Sequence, residues 1–198
     1  MDPDAYLCQL AEIFNGISVN TPSLSAIIAI ILAGLLLLAS GFASASEIAF
    51  FSLSPSDLND IEEGNHPSDG KISNLLADSE RLLATILITN NFVNVTIIML
   101  CNFFFMNVFV FHSPLAEFLI LTVILTFLLL LFGEIRPKIY SAQKTVAFCR
   151  FSAPVIYMLR KVFAPISAVL VHSTAFLNKH FAKKNHNISV DELSHALE

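Results

Sequence analysis

Polar side chains at helical spacing interrupt three long apolar stretches of the sequence. In the first stretch, Ser40 and Ser44 are four residues apart, so a helix places both hydroxyls on one face, with Glu47 close to that face. Serines in apolar helices also bond to their own backbone or let two helices approach closely. The pattern leaves both interpretations open, a helix contact or a set of hydroxyl ligands.

The second stretch carries three amides within five residues, Asn90, Asn91 and Asn94. Asn90 and Asn94 share one helix face. Asparagines can join helices by hydrogen bonds, but polar groups deep in an apolar stretch are costly and indicate function. Their amide oxygens are hard, neutral ligands that suit Mg²⁺ or Na⁺ better than zinc or copper. We therefore favour a role in ion binding.

The third stretch ends in the segment Gly133–Lys138. Pro137 has no backbone N–H, so the carbonyl of Gly133 loses the partner that a regular helix would give it. This predicts a broken helix with a free carbonyl beside the carboxylate of Glu134, as in the ion cavities of transporters. The alternative is a span that stops at the membrane interface before a proline.

Together the three stretches supply hydroxyl, amide, carbonyl and carboxylate oxygens, without a thiolate or an imidazole. Such a set is typical of a hard cation, and Mg²⁺ prefers near-octahedral oxygen coordination that retains some water. A single carboxylate would hold the ion loosely enough for release. The sequence does not show that the three stretches meet in space.

The composition predicts a membrane protein that is not an enzyme. Of 198 residues, 55% are hydrophobic and only 14% are charged, with a mean hydropathy of +0.70. The net charge of −5 argues against a nucleic-acid partner. The three cysteines and six histidines have neither disulfide nor zinc spacing, and motifs for a nucleophile or a phosphate loop are missing.

Three apolar stretches, Leu24–Leu53, Leu82–Phe111 and Leu115–Phe132, predict an all-α integral membrane protein with three transmembrane helices. None of the 11 Lys and Arg residues precedes Lys71, and nine of them follow the third stretch. The positive-inside rule therefore places the N-terminus outside and the C-terminus in the cytoplasm.

The chain is accordingly divided into four parts. Residues 1–23 form an extracytoplasmic segment and residues 24–147 a three-span domain. Residues 148–184 are expected to form amphipathic juxtamembrane helices at the cytoplasmic interface, with Arg160 and Lys161 reaching the headgroups. A fourth span is the alternative there, but it would place basic residues outside. Residues 185–198 are expected to begin a truncated cytoplasmic regulatory region.

The three polar stretches resemble the signature motifs of the transmembrane domain of the cyclin M/CorC family of magnesium transporters. The resemblance covers residues 24–150, and the order and spacing of all three motifs match. The acidic first loop, the Phe-rich second span and Arg136 resemble bacterial members, in particular the gliding-motility-associated branch.

The resemblance implies a homodimer in the bacterial inner membrane, built from three spans and a belt of juxtamembrane helices. It implies export of Mg²⁺ through an inward-facing polar cavity, with Na⁺ as counter-ion. Family members usually continue into CBS domains, where ATP would bind. The implied Mg²⁺ ligands are Ser40, Ser44, Asn90, Asn94, Gly133 and Glu134, and the possible supporting residues are Ser46, Glu47, Asn91, Pro137 and Lys138.

Two other functions are weighed against transport. In the first, the domain is a membrane anchor or scaffold for a cytoplasmic regulatory or motility assembly, and the polar residues only pack helices. The second is a passive channel, which a single broken helix without a ring of carboxylates makes less favoured.

Overall fold

A computed structural model describes residues 18–64, 66–110 and 114–171, which are predominantly α-helical. Its elements in chain order are β1 (Ser18–Val19), α1 (Leu24–Phe51), α2 (Pro55–Glu63), α3 (Asp69–Leu76), α4 (Ser79–Val108), β2 (Phe109–Val110), α5 (Pro114–Leu128), a π-helix (Leu129–Ile135), α6 (Arg136–Gln143), α7 (Thr145–Val162) and α8 (Ala164–Val171). Most of the predicted segment 1–23, the end of the predicted juxtamembrane region 148–184 and all of residues 185–198 lie outside the described residues.

Within the described residues, three helices are long and apolar enough to cross a membrane, which confirms the prediction of an all-α membrane domain. They are Leu24–Phe51, Ser79–Val108 and Glu117–Gln143, and we call the last one the third span. A fourth candidate exists only if α7 and α8, which meet at an angle of 80°, are counted together. The prediction that this region lies at the interface is untested.

The third span departs from the sequence prediction because its helix does not break at Pro137. The π-helix widens the backbone just before this residue, and the N–H of Arg136 donates to the carbonyl of Leu131, five residues earlier. Pro137 then lies in the first turn of α6, where a missing N–H costs no regular helical bond. The prediction of a broken helix is therefore wrong, and the helix continues to Gln143.

At the opposite end, a short strand pair ties α1 to α4. β1 and β2 pair in antiparallel fashion. The N–H of Asn20 donates to the carbonyl of Val108 at 2.7 Å. The N–H of Ser23 donates to Oδ1 of Asn107 at 3.1 Å. Because these contacts join the start of one span to the end of the next, both ends lie at the same level.

The first loop, between α1 and α4, folds into the helices α2 and α3. Ser54 begins α2 with a capping box, in which Ser54 and Asp57 exchange side-chain to backbone hydrogen bonds. Both helices place apolar side chains in a core shared with α1, α4 and α7. This core includes Phe50, Ile61, Ile72, Leu75, Leu82 and Ile156.

Helix α7 is apolar on two sides. One side is buried against the first loop and the spans through Cys149, Ser152, Ala153 and Ile156. The other side exposes Phe151, Val155, Met158 and Val162. A helix that is anchored on one side and exposes a second apolar stripe is suited to the boundary between headgroups and acyl chains.

Two arginines of α7 bind the acidic residues of the first loop. The guanidinium of Arg150 donates to both carboxylate oxygens of Asp69, at 2.8 and 3.1 Å, and Asp69 is only 3% exposed. Arg160 donates to the carbonyl of Asn74 at 3.1 Å and to Asp78 at 3.4 Å. The guanidinium of Arg160 is thus held by protein acceptors, and contact of Arg160 and Lys161 with lipid headgroups stays a prediction.

The contact between Asp69 and Arg150 should make the fold sensitive to acid. The hydrogen bond from Arg150 lowers the pKa of Asp69 below its usual value of 3.8. A carboxyl group with a lowered pKa stabilises the fold above its unfolded pKa, and this stabilisation is lost as the pH falls through the folded pKa. At neutral pH we expect Asp69→Asn to lower the Tm of the detergent-solubilised protein. The difference from wild type should shrink below about pH 4.

The measurement is the Tm of both proteins between pH 7 and pH 3. Glu62→Gln, at an exposed position of α2, is the control for loss of one negative charge. A difference between wild type and Asp69→Asn that stays constant over this range would contradict the prediction.

Candidate cation site

The polar faces of α1 and α4 meet in the interior of the helix bundle. The hydroxyl of Ser40 lies 3.0 Å from Oδ1 of Asn90 and 2.6 Å from Oδ1 of Asn94. The hydroxyl of Ser44 lies 3.5 Å from the same oxygen of Asn90. The structure thus brings together four of the six predicted ligands. We call these four residues the oxygen cluster.

The oxygen cluster has more acceptor capacity than its hydroxyl protons can satisfy. Ser40 carries a single hydroxyl proton, so it cannot make two full hydrogen bonds to the two amide oxygens that approach it. Ser40 and Ser44 are fully buried, whereas Asn90 and Asn94 are half-buried. The amide side is therefore the accessible side, and its free lone pairs are suited to a cation.

The third span approaches this cluster at Gly133, which is buried. A Cβ atom built on Gly133 would lie 3.0 Å from the hydroxyl oxygen of Ser40, so only glycine fits there without displacing that group. Pro137 cannot donate to the carbonyl of Gly133. Glu134 is the next residue and is half-buried. Within the described part of the chain, its carboxylate has no hydrogen bond or ion pair.

The possible supporting residues separate into different roles. The hydroxyl of Ser46 donates to the carbonyl of Phe42 in its own helix at 2.7 Å, so its proton is already used. Asn91 is exposed on the outer side of α4, away from the cluster. Glu47 and Lys138 form an ion pair of 3.1 Å that joins α1 to the third span.

Gly41 is a structural residue of the site that the sequence motifs did not single out. A Cβ atom at Gly41 would lie 2.9 Å from Cγ of Pro137 and 3.3 Å from the carbonyl oxygen of Phe132. Because Gly41 has no Cβ atom, the ring of Pro137 packs directly against α1 beside Ser40. The signal in the sequence is the four-residue spacing of Gly41 and Ala45, a pair of small residues that is typical of close helix contacts in membranes.

The arrangement does not favour a soft metal. Among the described residues, no three His, Cys, Asp or Glu side chains come close enough to hold a metal ion together. The groups that do converge are neutral oxygens, and Glu134 follows Gly133 on the third span. This set suits a hard cation that is bound and released.

The spans and the intramembrane oxygen cluster define a multi-pass membrane protein with polar groups collected in its interior. Comparison with known proteins identifies the family. Residues 30–198 match the cyclin M transmembrane N-terminal domain family, and the chain belongs to that family.

A relative from Haemophilus influenzae, named as a UPF0053 protein, is 32% identical over 130 residues. That match covers 66% of this chain and 30% of the relative, so the chain spans less than a third of that protein's length. The family match confirms the resemblance seen in the three polar motifs.

The contact at Gly41 predicts a test of the site's packing. In Gly41→Ala, the new methyl group would collide with a proline ring and a backbone carbonyl, neither of which can rotate away. We expect destabilisation of about 1–3 kcal/mol, as for other overpacked interiors. The measurement is the Tm in detergent.

Gly34→Ala is the matched control, because this glycine lies in the same helix and no atom lies within 4 Å of the position that its new methyl group would occupy. It should keep or raise the Tm, since alanine favours the helix. Equal losses in both variants would contradict the assignment of Gly41 to a close helix contact.

Proposed function

We propose that this domain transports Mg²⁺ across the bacterial inner membrane, exporting it in exchange for Na⁺. The observation that carries the proposal is the meeting of the Ser40 hydroxyl with the amide oxygens of Asn90 and Asn94, 3.0 and 2.6 Å away. Membership in the cyclin M family supports it. The ion would be ligated by Ser40, Ser44, Asn90, Asn94, the carbonyl of Gly133 and the carboxylate of Glu134.

The chemistry of this ligand set is consistent with transport rather than with permanent binding. Neutral oxygens can replace part of the hydration shell of Mg²⁺ but contribute little net charge. Glu134 supplies a full negative charge on the third span, the side of the site opposite α4. Ion binding would therefore draw the third span towards α1 and α4, and ion release would remove that attraction.

The proposed assembly is a homodimer, with lipid around its outer surface. Asn91 is exposed on α4 in the single chain, on the side away from the oxygen cluster. Amides facing hydrocarbon are costly, whereas amides at a helix contact are not. The proposed orientation places the first loop and α7 in the cytoplasm, in agreement with the basic residues.

We propose that Mg²⁺ stabilises the folded protein through Glu134. A ligand that binds only the folded state at about 100 times its Kd adds about 2.7 kcal/mol. The Tm of the wild-type protein in detergent should therefore rise with MgCl₂, while Glu134→Gln and Asn94→Ala should lose the response. Ser46→Ala should retain it, because the Ser46 hydroxyl bonds within its own helix.

The same variants distinguish transport from a scaffold role. Reconstituted into vesicles, the wild type should move Mg²⁺ in a saturable manner that depends on an opposing Na⁺ gradient. A scaffold would instead show no Mg²⁺ response in the wild type, and a lowered Tm as the main effect of Asn94→Ala. That result would overturn the proposal.

A further inference from the structure

The inner ends of α1 and the third span hold two carboxylates and one ammonium group close to the oxygen cluster. Nζ of Lys138 lies 3.1 Å from Oε2 of Glu47, and the two side chains are 34% and 24% exposed. The remaining basic residue of this segment, Arg136, lies over the ring of Phe132 at 5.9 Å and is exposed. Lys138 is therefore the basic side chain that turns towards α1.

The position of Lys138 allows its ammonium group to pair with either of two carboxylates, Glu47 or Glu134. It follows Glu134 by four residues, so both lie on one side of the third span about one turn apart. A lysine side chain is long and flexible enough to cover that separation. Glu47 follows Ser44 by three residues on α1 and so lies one turn from the oxygen cluster. Two carboxylates thus compete for one ammonium group.

The partner that Lys138 takes decides what Glu134 can offer to a cation. With Lys138 bound to Glu47, that pair is neutral and the carboxylate of Glu134 stays available, as observed in the structure. With Lys138 bound to Glu134, the ammonium group would neutralise the carboxylate of Glu134 and repel a divalent cation. The state with the ammonium on Glu47 is the one able to bind a cation.

We propose that Glu47 is a positioning residue that holds Lys138 away from Glu134, so that this ion pair sets the cation affinity of the site. The inference rests on the proposed function, because it concerns the same cation site. It assigns roles to two residues that do not ligate the ion. It also makes a prediction that a purely structural ion pair does not make, namely that loss of Glu47 lowers the cation affinity whereas loss of Lys138 does not.

The test measures the apparent Kd for Mg²⁺ from the rise of Tm with MgCl₂, each variant being referred to its own metal-free Tm. Glu47→Gln frees Lys138 to neutralise Glu134, so affinity should fall by about fivefold or more, the lower range of typical coupling between sites. Lys138→Met removes the competitor, so affinity should be unchanged or higher. Lys138→Gln is the second variant if the methionine protein does not fold.

The double variant Glu47→Gln/Lys138→Met separates partner exchange from simple charge repulsion. If Glu47 acts by holding Lys138, then Glu47→Gln should have little effect once Lys138 is absent, and the double variant should match Lys138→Met. An equal loss caused by Glu47→Gln in both backgrounds would overturn the inference while leaving the Mg²⁺ site intact. A wild-type protein without any response to Mg²⁺ would instead overturn the proposed function, and the inference with it.

Discussion

The close approach of α1 and the third span is the constraint on which the site depends. It is possible because glycines occupy both sides of the contact. Gly41 lies against Pro137, and Gly133 lies against the hydroxyl of Ser40. A methyl group at Gly41 would collide with the ring of Pro137, and one at Gly133 would crowd the hydroxyl of Ser40. In a membrane, where apolar surfaces gain little by leaving lipid for protein, such close packing is a main source of helix association.

The same contact explains why the third span contains a π-helix. Pro137 packs against Gly41 and has no backbone N–H to donate. The hydrogen bonding changes to the wider π-helical pattern over Leu129–Ile135, just before the proline. The helix therefore passes the proline without the break that its chemistry alone would suggest. On its buried side, at Gly133, this irregular backbone lies beside the hydroxyl of Ser40, and irregular backbone within a membrane is tolerated where protein covers it.

Much of this could be predicted from the sequence, because the relevant patterns are local. The three apolar stretches indicate the spans, and the four-residue spacings of Ser40 with Ser44 and of Asn90 with Asn94 define two polar helix faces. Their meeting at 2.6 and 3.0 Å follows once the helices pack with polar faces inward. The residue type alone does not predict which asparagines face the site, since Asn91 belongs to the same motif but is exposed on the other side of α4.

Other features could not be predicted because they join distant parts of the chain. The contact between Asp69 and Arg150 links residues 81 positions apart, and neither residue has a local pattern that identifies its partner. The ion pair between Glu47 and Lys138 likewise depends on how two spans are rotated about their axes. The π-helix depends on how Pro137 packs against α1. The hydroxyl of Ser46 could donate either to a carbonyl of its own helix or to a residue of another helix, and only the structure shows that it donates to Phe42.

The strand pair formed by β1 and β2 has a consequence for how the three spans are joined. It links α1 to α4 at one end of the bundle, while the oxygen cluster links the same two helices again further along. The third span packs on α1 mainly through the π-helix and α6. Beside α5, a cavity of about 420 Å³ opens between the third span and α4, although Leu129 still shares a buried core with Val93 and Ile97. Two of the spans are thus fastened to each other at two levels, whereas the third is fastened to α1 chiefly from Gly133 onward.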